Sequence, residues 1–183
     1  MQAPNNSPLD EDQPVPRPTD PYIGIPRVVS ESRRYFAVQH LEPEVIAREK
    51  VYTAVDPQGL FFGLVSSSMF ITWLRAVGGR LKSDLIFSNT LVWNTFPVPE
   101  LTERQRETII KAGQRVLDAR ALHPERSLAD HYNPLAMDPV LLRAHDALDR
   151  EVDRAFGAPR KLTTERQRQE LLFESYARMT YKK

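Results

Sequence analysis

Short apolar runs separated by turn-forming residues dominate the chain as far as residue 98. Four of these runs are rich in β-branched and aromatic residues, which favours strands. They cover residues 25–29, 34–39, 50–55 and 60–65. Residues 69–77 follow a different pattern, with apolar side chains at the spacing of one helical face, and the preceding serines are good N-caps. The pattern predicts a β-rich domain with one embedded helix over residues 20–98.

Two glycines, Gly78 and Gly79, should end this helix, because glycine adopts the left-handed helix-terminating conformation at little cost. Residues 81–87 then predict another strand or extended segment. This segment is unusual because Lys82 and Asp84 lie two positions apart among apolar neighbours.

From residue 99 onward the apolar spacing is helical. Thr102 to Gln105 and Thr164 to Gln167 have the sequence of capping boxes, and Asp138 precedes a proline at a predicted helix start. We therefore predict an α-helical C-terminal domain over residues 99–183 and an α+β fold class for the whole chain. Residues 1–19 contain five prolines and almost nothing large and apolar, so we expect a disordered or extended leader there.

Composition excludes several functional classes. The 183 residues carry 25 basic and 24 acidic side chains, a net charge of +1, so the whole chain has no nucleic-acid-binding charge signature. The chain has no cysteine, which rules out disulfides and thiolate zinc sites. No apolar run approaches the ~20 residues that span a bilayer. The first residues do not resemble a signal peptide, so we expect a cytoplasmic protein with no membrane partner.

Catalytic and cofactor motifs are absent from the sequence, and we predict no catalytic, cofactor-binding or metal-binding residue. The four histidines lack metal-ligand spacing, and His145 is expected to be a core or interface histidine. Asp149 and Asp153 alternate with arginines, which favours a solvated charged face over acid–base chemistry. Asn133-Pro134 predicts a turn between two helices.

Four fragments together resemble the C-terminal part of the MmeI-like (type IIL) restriction–modification enzymes. They are IPRVVSESRRYF, FFGLVSSSMFITWLRAVGGRLKSD, SNTLVWNTFPVPEL and LADHYNPLAMDPVLLRAHDALDREVDRAFG. Members of this family join an endonuclease, an S-adenosylmethionine-dependent adenine methyltransferase and a target-recognition domain. The resemblance implies a partial target-recognition domain followed by the C-terminal helical domain, without the catalytic and S-adenosylmethionine-binding parts.

The resemblance implies that Lys82 and Asp84 help to read one base of double-stranded DNA and that Lys50 and Ile86 form a second reading pair. On an extended chain, residues i and i+2 project from one face. A lysine can donate to guanine and an aspartate can accept from the cytosine amino group. Five arginines are candidates for positioning contacts with the DNA backbone. They are Arg27, Arg33, Arg34, Arg75 and Arg80.

Plainer interpretations remain open at this stage. A Lys-x-Asp pair on a strand is usually an exposed ion pair worth ~0–1 kcal/mol, and Arg33-Arg34 could be an ordinary solvated face. The chain is expected to recognise DNA as a non-catalytic fragment. The alternatives are an interaction module that assembles with the missing methyltransferase portion as a separate chain, and a remnant that retains only a fold.

Overall fold

The computed structural model describes residues 18–47 and 51–181, and it confirms an α+β fold. The strands are β1 (Tyr22–Pro26), β2 (Val28–Val29), β3 (Gln39–Leu41), β4 (Val51–Val55), β5 (Gly79–Leu81) and β6 (Asp84–Ile86). The α-helices are α1 (Leu60–Val65), α2 (Ser68–Val77), α3 (Glu103–Ala121), α4 (Leu128–His131), α5 (Pro139–Ala155) and α6 (Glu165–Tyr181), and a π-helical turn covers Asn89–Trp93. The predicted leader lies almost entirely outside the described residues.

Two small antiparallel sheets form the β part of the described chain. In the first sheet β1 is central, between β3 and β4, and in the second β6 is central, between β2 and β5. Arg27 separates β1 from β2, so the single strand predicted over residues 25–29 is divided between the two sheets. The amide of Phe87, just after β6, donates to the Arg27 carbonyl at 2.9 Å and links the sheets at this point.

The strand predicted over residues 60–65 is wrong, because these residues form α1. The Asp56 carboxylate accepts hydrogen bonds from the amides of Phe61 (3.1 Å) and Phe62 (2.7 Å), and so satisfies amides in the first turn. Gly59, with φ of 79°, makes the preceding turn. The first domain therefore contains two α-helices and a π-helical turn rather than one embedded helix.

The strand predicted over residues 34–39 is also wrong for most of its length. Only Gln39 belongs to β3, yet Tyr35, Phe36 and Val38 are fully buried. The aromatic and β-branched side chains of this segment fill the core without strand pairing. Strand propensity here reflected burial rather than backbone conformation.

The embedded helix α2 is confirmed, and the Ser67 hydroxyl accepts from the Phe70 amide at its N-terminus. The expected left-handed end at the glycines is wrong, because Gly78 has φ of −70° and ψ of 156°. A Cβ at Gly78 would clash with the Leu74 carbonyl oxygen. Position 78 therefore requires glycine because the Leu74 backbone comes too close for a Cβ, and not because φ is positive.

The helical half follows its predicted caps. Thr102 and Gln105 form the capping box of α3, and the Thr164 hydroxyl accepts from the Gln167 amide at the start of α6. Trp73 connects the two halves, since its indole N–H donates to the Val92 carbonyl at 3.1 Å while its ring packs on α6. One hydrophobic core thus runs through the described residues, and none of their helices is long and apolar enough to cross a membrane.

The solvated face predicted around Asp149 and Asp153 is wrong, because both carboxylates are buried, at 6% and 3% exposure. Asp153 accepts two hydrogen bonds from the Arg168 guanidinium, at 2.9 and 2.7 Å. Asp149 accepts from the amide (2.7 Å) and hydroxyl (2.6 Å) of Ser68, the first residue of α2. These buried charges hold α2, α5 and α6 together.

His145 is confirmed as a buried histidine of the core. Its Nε2 lies 2.7 Å from the Tyr132 hydroxyl, and its ring stacks on Tyr35 with a centroid distance of 3.9 Å. Burial lowers the pKa of His145 well below its ordinary value, so the ring is neutral at physiological pH. Its role is to join the loop before β3 to α5.

Candidate functional site

A tight hairpin carries the predicted reading pair. Strands β5 and β6 pair from Gly79↔Ile86 to Leu81↔Asp84, so Lys82 and Ser83 form a two-residue turn. Lys82 has φ of 57°, and it is the one non-glycine residue with positive φ in the described part of the chain. A positive φ confined to the first turn position matches the φ signs of a type II′ turn. The expectation that Lys82 and Asp84 share one face of an extended strand is therefore wrong.

The outward face of the second sheet brings Asp84 and Ile86 together. These residues lie two positions apart on β6, so their side chains project to the same side, whereas Leu85 between them is fully buried. Ile86 is paired with Val28 of β2, which is exposed. The hairpin thus presents a carboxylate beside an apolar side chain, with Lys82 at its tip.

Lys82 and Asp84 do not form an ion pair with each other. No carboxylate lies within 4.0 Å of the Lys82 ammonium group, and no basic group lies within that distance of the Asp84 carboxylate, among the residues at 18–47 and 51–181. Lys82 is exposed and Asp84 is half-buried. The plain surface ion pair considered from sequence is absent from these residues, and both charges are available to a ligand.

The second predicted pair is only half described. Ile86 lies in β6, but Lys50 lies outside the described residues. Its neighbour Val51 begins β4 and pairs with Pro26 of β1. The role of Lys50 therefore stays a prediction.

Two of the five arginines, Arg33 and Arg75, are partly buried and connect the two domains. Arg75 is mostly covered, with 22% of its side chain exposed, and its guanidinium donates to Glu165 at 2.9 Å and to the Arg33 carbonyl at 2.8 Å. Arg33 donates to the Ala129 carbonyl at 2.7 Å. Both arginines connect the first domain to the helical domain.

The other three arginines are exposed. Arg34 pairs with Asp146 at 3.2 Å, and Arg80 pairs with Glu31 at 2.9 Å. Exposed ion pairs contribute only ~0–1 kcal/mol, so a phosphate can replace the Asp146 carboxylate at small cost, whereas Arg80 Nη1 also donates to the Ser83 carbonyl at 3.2 Å. Arg27, between the two sheets, has no side-chain hydrogen bond or ion pair within the structure as far as it is described.

Lys82→Gly should not lower the free energy of unfolding, and we expect a gain of up to about 1 kcal/mol. A left-handed conformation costs an L-residue ~1–2 kcal/mol, and glycine removes this cost but increases the entropy of the unfolded chain. Urea unfolding measures the change. Ser83→Gly is the control, because Ser83 has no positive φ and should lose about 0.5–1 kcal/mol. A clear loss in Lys82→Gly would contradict a strained turn.

Sequence reasoning missed Glu31 and Glu165, the carboxylates that hold Arg80 and Arg75. Their partners lie 49 and 90 residues away, so no local spacing connects them. As for metals, the described histidines and carboxylates form no group of three or more that could hold an ion.

The geometry defines a class of protein: a mixed domain that presents a charged hairpin, joined to a helical domain by the Arg75–Glu165 ion pair and by hydrogen bonds from Ser68 to buried Asp149. The model of the MmeI target recognition domain matches residues 3–100, and that of the MmeI C-terminal domain matches residues 101–182. The chain belongs to the MmeI family. The first match begins within the stretch predicted as a leader.

Two relatives support this assignment. DNA methyltransferase A from Bacillus subtilis (strain 168) is 36% identical over 158 residues, which cover 86% of this chain and 18% of that protein. A solved structure of the type IIL restriction–modification enzyme MmeI in complex with DNA superposes with a TM-score of 0.85 at 38% identity. That match covers 91% of this chain and 22% of the MmeI chain. The chain thus spans about a fifth of the length of these relatives.

Proposed function

We propose that this chain recognises a specific double-stranded DNA sequence through the major groove, as the recognition part of an MmeI-like adenine methyltransferase and restriction–modification protein. The observation that carries the proposal is the hairpin tip, where Lys82 and Asp84 have no ion-pair partner among the described residues. The hairpin lies in a domain that matches the MmeI target recognition domain. The similar MmeI structure is a complex with DNA.

Lys82 and Asp84 would read one G·C pair. The lysine ammonium group donates to the N7 and O6 acceptors of guanine, and the aspartate accepts from the amino group of the paired cytosine. Each good base contact is worth ~1–3 kcal/mol of discrimination. Ile86, on the same face as Asp84, would add an apolar contact, and Lys50 would supply the hydrogen bonds of the second pair.

Backbone contacts would come from the exposed arginines. Arg27 and Arg34 would contact phosphates, which position a protein without specifying sequence, and Arg80 would do so while it keeps its bond to Glu31. Arg33 and Arg75 are already engaged with the protein's own carbonyls, so they would shape the surface rather than bind DNA.

Methylation would require sequence outside this chain. The proposal assigns adenine methylation, with S-adenosylmethionine as its cofactor, to the methyltransferase portion of the family, in the same protein or as a separate chain. The covered length supports this division, since this chain corresponds to about a fifth of its relatives. The function assigned to the chain itself is DNA recognition.

Gel-shift titration of the full chain on duplex DNA across a salt series tests the proposal. Affinity should fall steeply with salt because phosphate contacts release counterions. Arg27→Ala should weaken binding to all duplexes and reduce the salt slope by about 1. Arg166→Ala is the control, because Arg166 pairs with Glu170 on its own helix and should leave the slope unchanged. No binding at low salt would refute DNA recognition by this chain.

A further inference from the structure

We propose that the C-terminal helix α6 helps to set which base the hairpin reads, through a chain of contacts from Glu165 to Arg75, Glu31 and Arg80. This inference rests on the proposed function of the hairpin. It makes these four side chains positioning residues, which act on base choice without touching the base.

The first step joins α6 to the loop before β3. Arg75, in the last turn of α2, donates from Nη1 to Glu165 Oε2 at 2.9 Å. Its Nη2 donates to the Arg33 carbonyl at 2.8 Å and to the Glu31 carbonyl at 3.4 Å. One guanidinium thus connects α6, α2 and the loop at residues 31–33. Its planar fork suits this task, because it directs several donors at fixed angles.

The second step joins that loop to the hairpin turn. The Glu31 carboxylate accepts from Arg80 Nη1 at 2.9 Å. The same nitrogen donates to the Ser83 carbonyl at 3.2 Å. Arg80 therefore connects the loop to the turn that contains Lys82. The backbone of Lys82 is in a costly conformation, so contacts around the turn are needed to keep it there.

Helix α2 gives this chain of contacts a rigid support. Asp149 of α5 holds the first residue of α2 through the amide and hydroxyl of Ser68. Glu165 of α6 holds Arg75 near the other end. Because β5 begins two residues after α2 ends, both ends of the helix that leads into the hairpin are attached to the helical domain. Base reading requires side chains held within about 0.5 Å, so a loosened support should relax specificity.

Glu165→Gln is the test variant, and Glu170→Gln is its matched control. Both carboxylates are on α6, but Glu170 pairs with Arg166 of the same helix. The first measurement is amide hydrogen exchange at Lys82, Ser83 and Asp84. The second is the affinity ratio between the preferred duplex and one with the reversed base pair. We expect Glu165→Gln to speed exchange and to reduce the affinity ratio by roughly two- to fivefold, the effect of a partly exposed ion pair.

The salt slope of binding should be unchanged in Glu165→Gln, since this variant removes no phosphate contact. Arg75→Lys should give the same loosening, because an ammonium group cannot reproduce the fork to Glu165 and the loop carbonyls. Glu170→Gln should change neither measurement.

If amide hydrogen exchange in the hairpin is unchanged in both Glu165→Gln and Arg75→Lys, the inference is overturned, whatever the affinity ratio between the two duplexes. Faster exchange with an unchanged affinity ratio would also overturn it, since the contacts would then be structural only. If the wild-type chain binds DNA without any base preference, base reading by the hairpin itself fails. Hydrogen exchange still reports separately whether α6 holds the turn.

Discussion

Arg168→Met should lower the free energy of unfolding by about 3–5 kcal/mol, the usual cost of leaving buried charges without their partner. Arg168 forms a bidentate pair with Asp153 and lies 3.8 Å from Asp149. Its removal leaves two buried carboxylates without a cation. Urea unfolding at pH 7 measures the change.

The pH dependence of this loss follows from the pKa of Asp153. Burial raises that pKa to about 6, while the hydrogen bond and charge of Arg168 pull it down. The unfolded carboxyl titrates near ~3.9, so between about pH 4 and pH 6 the folded state binds more protons and stability falls as pH rises. Without Arg168 the pKa rises further. Both folded states hold the Asp153 proton below about pH 6, so the deficit of Arg168→Met should be smallest and nearly constant there, and it should grow as pH rises above about 6.

Two further variants separate charge from packing. Arg166→Met, on the exposed face of the same helix, should change stability by less than about 0.5 kcal/mol. Adding Asp153→Asn to Arg168→Met should recover part of the loss, because it removes one buried unpaired charge. A loss below about 1 kcal/mol for Arg168→Met at pH 7 would show that the buried ion pairs do not hold α5 and α6 together.

This cluster also shows what sequence could predict and what it could not. Adjacent arginines made Asp149 and Asp153 look solvated, although they share a helical face with buried Leu148 and Val152. The apolar spacing along this helix therefore indicated that both aspartates face the core. Their partner Arg168, in contrast, is on another helix and could not be identified from local spacing.

Local capping chemistry was the most predictable part of the fold. The boxes at Thr102 and Thr164 formed because their hydrogen bonds close within three residues. Residues 60–65 form a continuous apolar run, which fits a buried strand or a buried helix equally well. Asp56 decides between them by accepting from the amides of Phe61 and Phe62.

The hairpin was missed because its turn has no turn-forming signature. Two-residue hairpins favour Asn-Gly or a leading glycine, and this turn uses Lys82-Ser83. A lysine at a position that favours glycine departs from the local rule. Such departures are typical of functional sites. The positive φ of Lys82 therefore supports a functional role for this residue that the spacing of charges in the sequence did not indicate.

Reversing the two hairpin charges, with Lys82→Glu and Asp84→Arg together, should reverse the base preference from G·C to C·G. A glutamate accepts from the cytosine amino group, and an arginine donates to both guanine acceptors. Glutamate carries a Cβ as lysine does, so the change does not relieve the cost of the positive φ at position 82. We expect a preference of roughly tenfold or more for the reversed pair, from ~1–3 kcal/mol per base contact.

Binding selections on randomised duplexes measure this preference, and the single variants are the controls. Lys82→Glu alone places two acids at the tip and should weaken binding to every duplex, because both repel phosphates. Asp84→Arg alone should retain or strengthen binding while losing the discrimination that depends on the carboxylate. The double variant restores one donor and one acceptor in exchanged positions, so its net charge equals that of the wild type. If the double variant keeps the base preference of the wild type, Lys82 and Asp84 are excluded as base readers. The net charge of the two proteins is equal, so a loss of charge or of overall affinity could not explain that result.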